Sequence, residues 1–179
     1  MKGVLISIQP KWVEKIASGK KTIEVRKSRP KLETPFKCYI YETKGKQVEN
    51  CDGCDVTYYG RGKVIGEFIC DYIQEIDRAK DYRTYRWLFK ESCLTSKELE
   101  TYIAPKWYGY GWHISDLKIY EKPKELNEFK KENICYKKGD LDNLGCWERG
   151  CVIQEQGWCD GRYSKIERPP QSWGYVLGE

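Results

Sequence analysis

A single histidine stands among 179 residues, and no stretch approaches the ~20 consecutive apolar residues that a membrane-spanning helix needs. The first absence excludes a zinc enzyme built on paired histidines, and the second a helical membrane protein. The opening MKGVLISIQPKW carries only a short apolar run, which ends at Gln9 and Pro10 with no small-residue cleavage site behind it. It reads as a strand rather than an export signal. The nine cysteines are odd in number. With no export signal they read as thiols or metal ligands of a cytoplasmic protein, not as a disulfide framework. No internal repeat is present.

The composition, 40% hydrophobic and 33% charged, is that of a folded chain, and the length suits a single domain spanning 1–179. Charge is unevenly spread. From Pro10 to Lys46 there are 11 Lys and Arg against 4 Asp and Glu, whereas the chain from Gln47 onward is slightly acidic, with 20 against 23. A polyanion would find its partners in the first quarter of the chain. A solvated basic face without a ligand is the plain alternative.

Val4 to Ile8 reads as a strand, and Pro10 then opens a helix whose Trp12, Val13, Ile16 and Ala17 share one face. Gly19 ends that helix. Thr22 to Arg26 alternates polar with apolar residues, the pattern of a strand with Ile23 and Val25 buried and Glu24 and Arg26 on an available face. Phe36 to Glu42 and Lys63 to Ile73 read as strands separated by a polar loop carrying Cys51 and Cys54. Asp81 to Phe89 and Ser96 to Ile103 have helical spacing, Ile114 to Tyr120 resumes the strands, and Trp173 to Leu177 supplies a last one. Cysteine-containing insertions are expected near 44–62 and 123–168. Many strands with one early helix imply an α+β, mainly β fold, an open β-barrel with flanking helices.

The stretch Gly19-Lys20-Lys21-Thr22-Ile23-Glu24-Val25-Arg26 resembles the Gly-x-Lys-x-x-Glu-x-Arg motif of the ASCH domain family, following a Pro-initiated helix and opening a strand as it does there. Ile6 to Lys11, Tyr110 to Ile114 and Arg168 to Trp173 are similar to small phage- or bacterial-type members. The resemblance implies a PUA-like barrel with a cleft beside the first helix, in a class associated with RNA binding, RNA modification and coactivator roles. Some small members resemble amidohydrolases acting on acylated cytidines through the motif lysine, a threonine and a distant glutamate. Here Glu24 replaces that threonine, which removes the presumed nucleophile.

The residues themselves suit a nucleotide-like ligand or RNA. On a common strand face Glu24 and Arg26 emerge ~6.5 Å apart. Arg26 offers a planar fork to a phosphate or base edge, and Glu24 accepts from amino or hydroxyl groups. Lys21 reaches phosphate or developing negative charge, and Gly19 permits the turn. Lys27 and Arg29 extend the basic strand, with Lys31, Lys37, Trp12, Tyr39 and Tyr41 nearby in sequence, an interleaving that suits stacking beside phosphate contacts. Core packing accounts equally well for most of the rings, and simple pairing on a sheet face for Glu24 and Arg26. If the chain is an enzyme, Lys21 and Glu24 are its catalytic candidates, with Glu67 a distant second acid. A ribonuclease using Lys21, Glu24 and Arg26, and a protein-interaction module carried by the insertions, stay open as further readings.

No cofactor is required by these readings. Cys51 and Cys54 have the spacing of a zinc knuckle, and Cys135, Cys146, Cys151 and Cys159 crowd the later insertion, so a structural zinc is the alternative to free thiols. His113 is expected to be a half-buried strand residue.

Overall fold

The computed structural model describes residues 2–51, 53–77, 79–80, 85–132 and 163–177. Strand β1 (Lys2–Ile8) leads through Gln9 into helix α1 (Pro10–Ala17). Pro10 takes the first helical position, where its missing N–H costs nothing, and Val13 and Ile16 turn inward while Ala17 stays exposed. Strand β2 (Ile23–Arg26) follows, then β3 (Phe36–Glu42). Next comes a hairpin of β4 (Gly45–Cys51) and β5 (Cys54–Gly60), and then β6 (Val64–Cys70), β7 (Ile73–Asp77), α2 (Arg86–Ser92) and α3 (Ser96–Ile103). The chain ends with β8 (Tyr108–His113), β9 (Ser115–Lys124), the short pair β10 (Lys130–Glu132) and β11 (Tyr163–Lys165), and β12 (Trp173–Leu177).

A five-stranded sheet runs in the order β12-β1-β3-β6-β9, with β1 and β3 parallel and the other neighbours antiparallel. A second sheet, β2-β8-β7, is antiparallel throughout. Two corners join them: β6 turns at Asp71 and Tyr72 into β7, and β8 turns at Ile114 into β9. The fold is therefore α+β and mainly β, and among the described residues neither sheet closes into a barrel. No described helix is long and apolar enough to cross a membrane.

Three apolar clusters hold these layers. The largest, with Val4, Ile6, Val13, Ile16, Phe68 and Trp112, lies between the sheets and α1. A second, around Leu5, Tyr39, Tyr41, Phe129 and Ile166, covers the outer face of the large sheet. A third packs Ile23 and Val25 against Leu88, Leu99 and Ile103 of α2 and α3. Close approach there depends on Gly109, since a Cβ at that position would come within 2.6 Å of Ile103. The Tyr-Gly-Tyr-Gly-Trp-His run is thus a strand in its own right, β8, which the strand expected at Ile114 to Tyr120 does not include.

Three further expectations change. The segment between Phe36–Glu42 and the next strand is not a loop, because Gly45–Cys51 and Cys54–Gly60 pair along their full length. A two-stranded ribbon exposes much of both faces, so its polar composition imitates a loop. Lys63 to Ile73 is two strands in two sheets rather than one. The first of the two later helices is Arg86–Ser92, shifted from Asp81 to Phe89, and residues 81–84 lie outside the described ones. Of the 123–168 insertion, the described ends contribute a 3₁₀ turn (Leu126–Glu128) and the β10–β11 pair. Cys135, Cys146, Cys151 and Cys159 lie outside the described residues. Cys54 is an exposed free thiol, and no metal-ligating group of three occurs among the described residues.

The hairpin is fastened to α1 by Glu49. Its carboxylate takes Lys11 at 2.8 Å and Lys15 at 3.2 Å, and the Tyr58 hydroxyl donates to it at 3.0 Å. The Lys11 ammonium is the chief cause that lowers its pKa to about 2, with Lys15 and Tyr58 adding to it against the opposing effect of burial. A carboxylate depressed in the folded state stabilises fully above its ordinary pKa of 4.5, and that contribution is lost as pH falls toward 2. Glu49→Gln is accordingly expected to cost about 2 kcal/mol at neutral pH, after allowance for screening. Urea unfolding should show the gap from the parent protein narrowing between pH 5 and pH 2. An equal gap at both ends would remove Glu49 from this role.

Candidate functional site

The alternation of β2 sends Ile23 and Val25 into the third cluster and turns Glu24 and Arg26 the other way. The expected polar face exists, but it is not available to solvent. Lys21 is 2% exposed, Glu24 7% and Arg26 6%, because α1, α3 and the segment before β12 cover them. The three side chains form one charge network: Arg26 Nη2 lies 3.0 Å from Glu24 Oε1, and Lys21 Nζ 3.3 Å from Glu24 Oε2.

Each member is also tied to backbone. Lys21 Nζ donates to the Ser92 carbonyl at 2.7 Å, at the C-terminal end of α2, where the helix carbonyls favour a cation. Arg26 Nη2 donates to the Ser7 carbonyl at 2.7 Å, and Nη1 approaches Ser172 Oγ at 3.4 Å. Burial lowers the Lys21 pKa, which the Glu24 carboxylate partly restores. Two atoms remain without a hydrogen bond, Glu24 Oε2 and Arg26 Nε. The contact of Glu24 Oε2 with Lys21 is electrostatic, without hydrogen-bond geometry. An acceptor and a donor are thus left over in a buried site, a costly arrangement that protein interiors generally avoid.

These residues line a cavity of about 700 Å³. Its other walls are Trp12 of α1, Ser7 to Gln9, and one side of α3 with Thr95, Glu98 and Tyr102. The Lys11, Lys15 and Lys21 ammonium groups lie 4.4, 5.1 and 5.1 Å from the Trp12 ring centroid, which makes that ring a cation-flanked wall. Helix α3 presents its N-terminal turn to the cavity through a capping box. Glu98 N donates to Thr95 Oγ1 and Thr95 N to Glu98 Oε2. The Tyr102 hydroxyl is pushed up in pKa chiefly by burial, opposed by the nearby Arg26 guanidinium.

Of the residues singled out in the sequence, Lys21, Glu24 and Arg26 come together. Gly19 does not join them: it is an exposed turn residue with φ +72°, the left-handed region open to glycine. Lys27 and Arg29 also lie outside the cavity lining. Lys27 Nζ donates to the Ala104 carbonyl and sits 5.3 Å from the Tyr102 ring, and Arg29 is exposed beside Tyr110. Tyr39 and Tyr41 belong to the second core cluster, and Lys37 pairs with Glu67. Glu67 is held by Lys37 and Tyr120 and is not part of the cavity lining. His113 is half-buried, with Nδ1 2.6 Å from Asp71 and its ring stacked on Tyr72. Glu98, Tyr102 and Ser172 were not anticipated at the site. The Thr95-x-x-Glu98 spacing marks a helix start in sequence, but nothing local shows that this start faces Lys21.

An alignment model described as the ASCH domain matches residues 6–131. Among solved structures the chain is similar to the ASCH protein of Zymomonas mobilis, at 21% identity and TM-score 0.52 over 70% of this chain and 75% of that one. A tyrosine-to-phenylalanine variant of that protein aligns at 22% identity and TM-score 0.53, over 72% and 78% of the two chains. Identity at this level bears on the fold alone. Among curated proteins none matches the chain.

Proposed function

The chain belongs to the ASCH domain family, and on that premise we propose that it binds one nucleotide-like unit, free or as an unpaired residue of an RNA, with the base inside the cavity between α1 and α3. The buried network of Lys21, Glu24 and Arg26 carries this reading, because it leaves a carboxylate oxygen and a guanidinium N–H without hydrogen bonds beside a space of about 700 Å³. A base edge supplies both a donor and an acceptor, and Trp12 and Tyr102 provide flat apolar walls. The burial of Lys21, Glu24 and Arg26 argues against a continuous polyanion lying along β2. Lys27 and Arg29, outside on the same segment, are where the phosphates of a longer strand would be met.

Calorimetric titration with the ribonucleosides and with an N4-acylated cytidine tests the reading. Saturable binding that falls at least about tenfold in Arg26→Ala is expected. No heat with any nucleoside would overturn it. A second reading, hydrolysis of an acylated nucleoside, is favoured by the lowered pKa of Lys21 beside a carboxylate. In it water adds to the acyl carbon, the C–N bond breaks, and the amine leaves protonated. Release of free cytidine from the acylated compound, lost in Lys21→Ala, distinguishes turnover from binding.

A further inference from the structure

A second cavity, of about 790 Å³, adjoins the first, and Ser7, Thr43 and Gln171 line both. Ser7 is a fixed partition. Its N–H donates to the Ser172 carbonyl at 2.9 Å and its Oγ to the Pro170 carbonyl at 2.6 Å, and its own carbonyl holds Arg26. Thr43 and Gln171 differ, for their side chains have no hydrogen-bond partner among the described residues. The walls of the second cavity are apolar in Leu126, Ile166, Pro169 and Pro170. Its polar groups include the Lys44 ammonium, the Asn127 amide, and the carboxylates of Glu125 and Glu167.

Tyr41 is the informative residue. It is 5% exposed and lines this cavity, yet its hydroxyl has no hydrogen-bond partner among the described residues. The ring is buried in the second core cluster, but the hydroxyl is not one of the buried atoms without a partner, so it opens onto the cavity space. Burial, with the Glu125 charge, raises its pKa, so it faces the cavity as a neutral donor. The second cavity thus resembles the first in its apolar walls, in a hydroxyl without a hydrogen-bond partner among the described residues, and in a cation near the junction.

We propose that the second cavity is a subsite for an adjoining nucleotide, so that the ligand is a dinucleotide step of a single strand that crosses between the cavities at Thr43 and Gln171. Resting on the reading of the first cavity as a nucleoside site, it assigns the junction a definite chemistry. The Thr43 hydroxyl, the Gln171 amide and the Lys44 ammonium suit the oxygens of a linking phosphodiester, while Tyr41 and Asn127 meet the second base.

Titrations of the full chain with the ribonucleosides and the ribodinucleoside monophosphates test it, together with the double variant Tyr41→Phe/Asn127→Ala. The best dinucleoside monophosphate should bind at least about tenfold tighter than the best nucleoside, in keeping with one added base contact. The double variant should lose most of that gain while keeping its nucleoside affinity and thermal midpoint. Nucleoside binding without a gain from the second nucleotide, or a gain that survives the double variant, would overturn the second subsite and leave the first cavity standing. Absence of binding by either class would overturn both. Tyr41→Phe removes one oxygen from a core residue, so the fold should survive, and the single variant Asn127→Ala, at an exposed position, gives the same comparison free of any packing change.

Discussion

Replacing Glu24 by alanine should destabilise the protein by about 3–5 kcal/mol, because it leaves the buried Lys21 and Arg26 cations facing each other without a counter-charge. In a chain of this length that corresponds to a fall in thermal midpoint on the order of 10 °C. The cause is specific. Glu24 Oε1 and Oε2 lie 3.0 Å from Arg26 and 3.3 Å from Lys21, and all three side chains are more than nine-tenths buried. Glu24→Gln keeps the shape and an acceptor for Arg26, so it should fall between the parent and the alanine variant. The triple change Lys21→Met/Glu24→Leu/Arg26→Met removes every charge at once and should recover much of the stability while abolishing ligand binding. Chemical denaturation of the series decides the matter. A Glu24→Ala loss within about 1 kcal/mol of the parent would mean that water screens the network and that it is not a buried triad.

The second large effect is expected at Gly60→Ala. A Cβ at Gly60 would overlap the Thr43 carbonyl, with the Thr43 carbonyl carbon at 2.9 Å and Pro10 Cγ at 2.7 Å. Backbone cannot step aside as a flexible side chain can, so a loss of about 3 kcal/mol is expected. Its consequences should spread in a definite direction. Gly60 ends β5 opposite Gly45, so displacing it lifts the hairpin from α1, weakening the Glu49 contacts to Lys11 and Lys15 and shifting Thr43, which lines both cavities. Gly60→Ala should therefore also flatten the acid dependence assigned to Glu49. Unchanged stability would show that β5 adjusts independently of Thr43.

Much of this was legible locally. The Pro10 helix start, the alternation in β2, the helix over Ser96–Ile103 and the strand Trp173–Leu177 follow from residue spacing and turn chemistry, which act over a few residues. The hairpin of β4 and β5 was not legible, since its regularity comes from pairing and from docking on α1 rather than from an apolar face. The basic stretch was legible as charge but not as a surface. Lys21 and Arg26 turned inward to one carboxylate, while Lys27 and Arg29 stayed outside.

The sequence by itself determined the family motif, the alternation that sets Glu24 and Arg26 on one face of a strand, and the charged character of whatever that face meets. Only the tertiary structure decided that the face is buried and opens onto a cavity. That outcome depends on α1, α3 and the segment around Ser172 converging from positions up to 146 residues away from Arg26. Burial is a property of what packs over a residue, and no short stretch of sequence carries it.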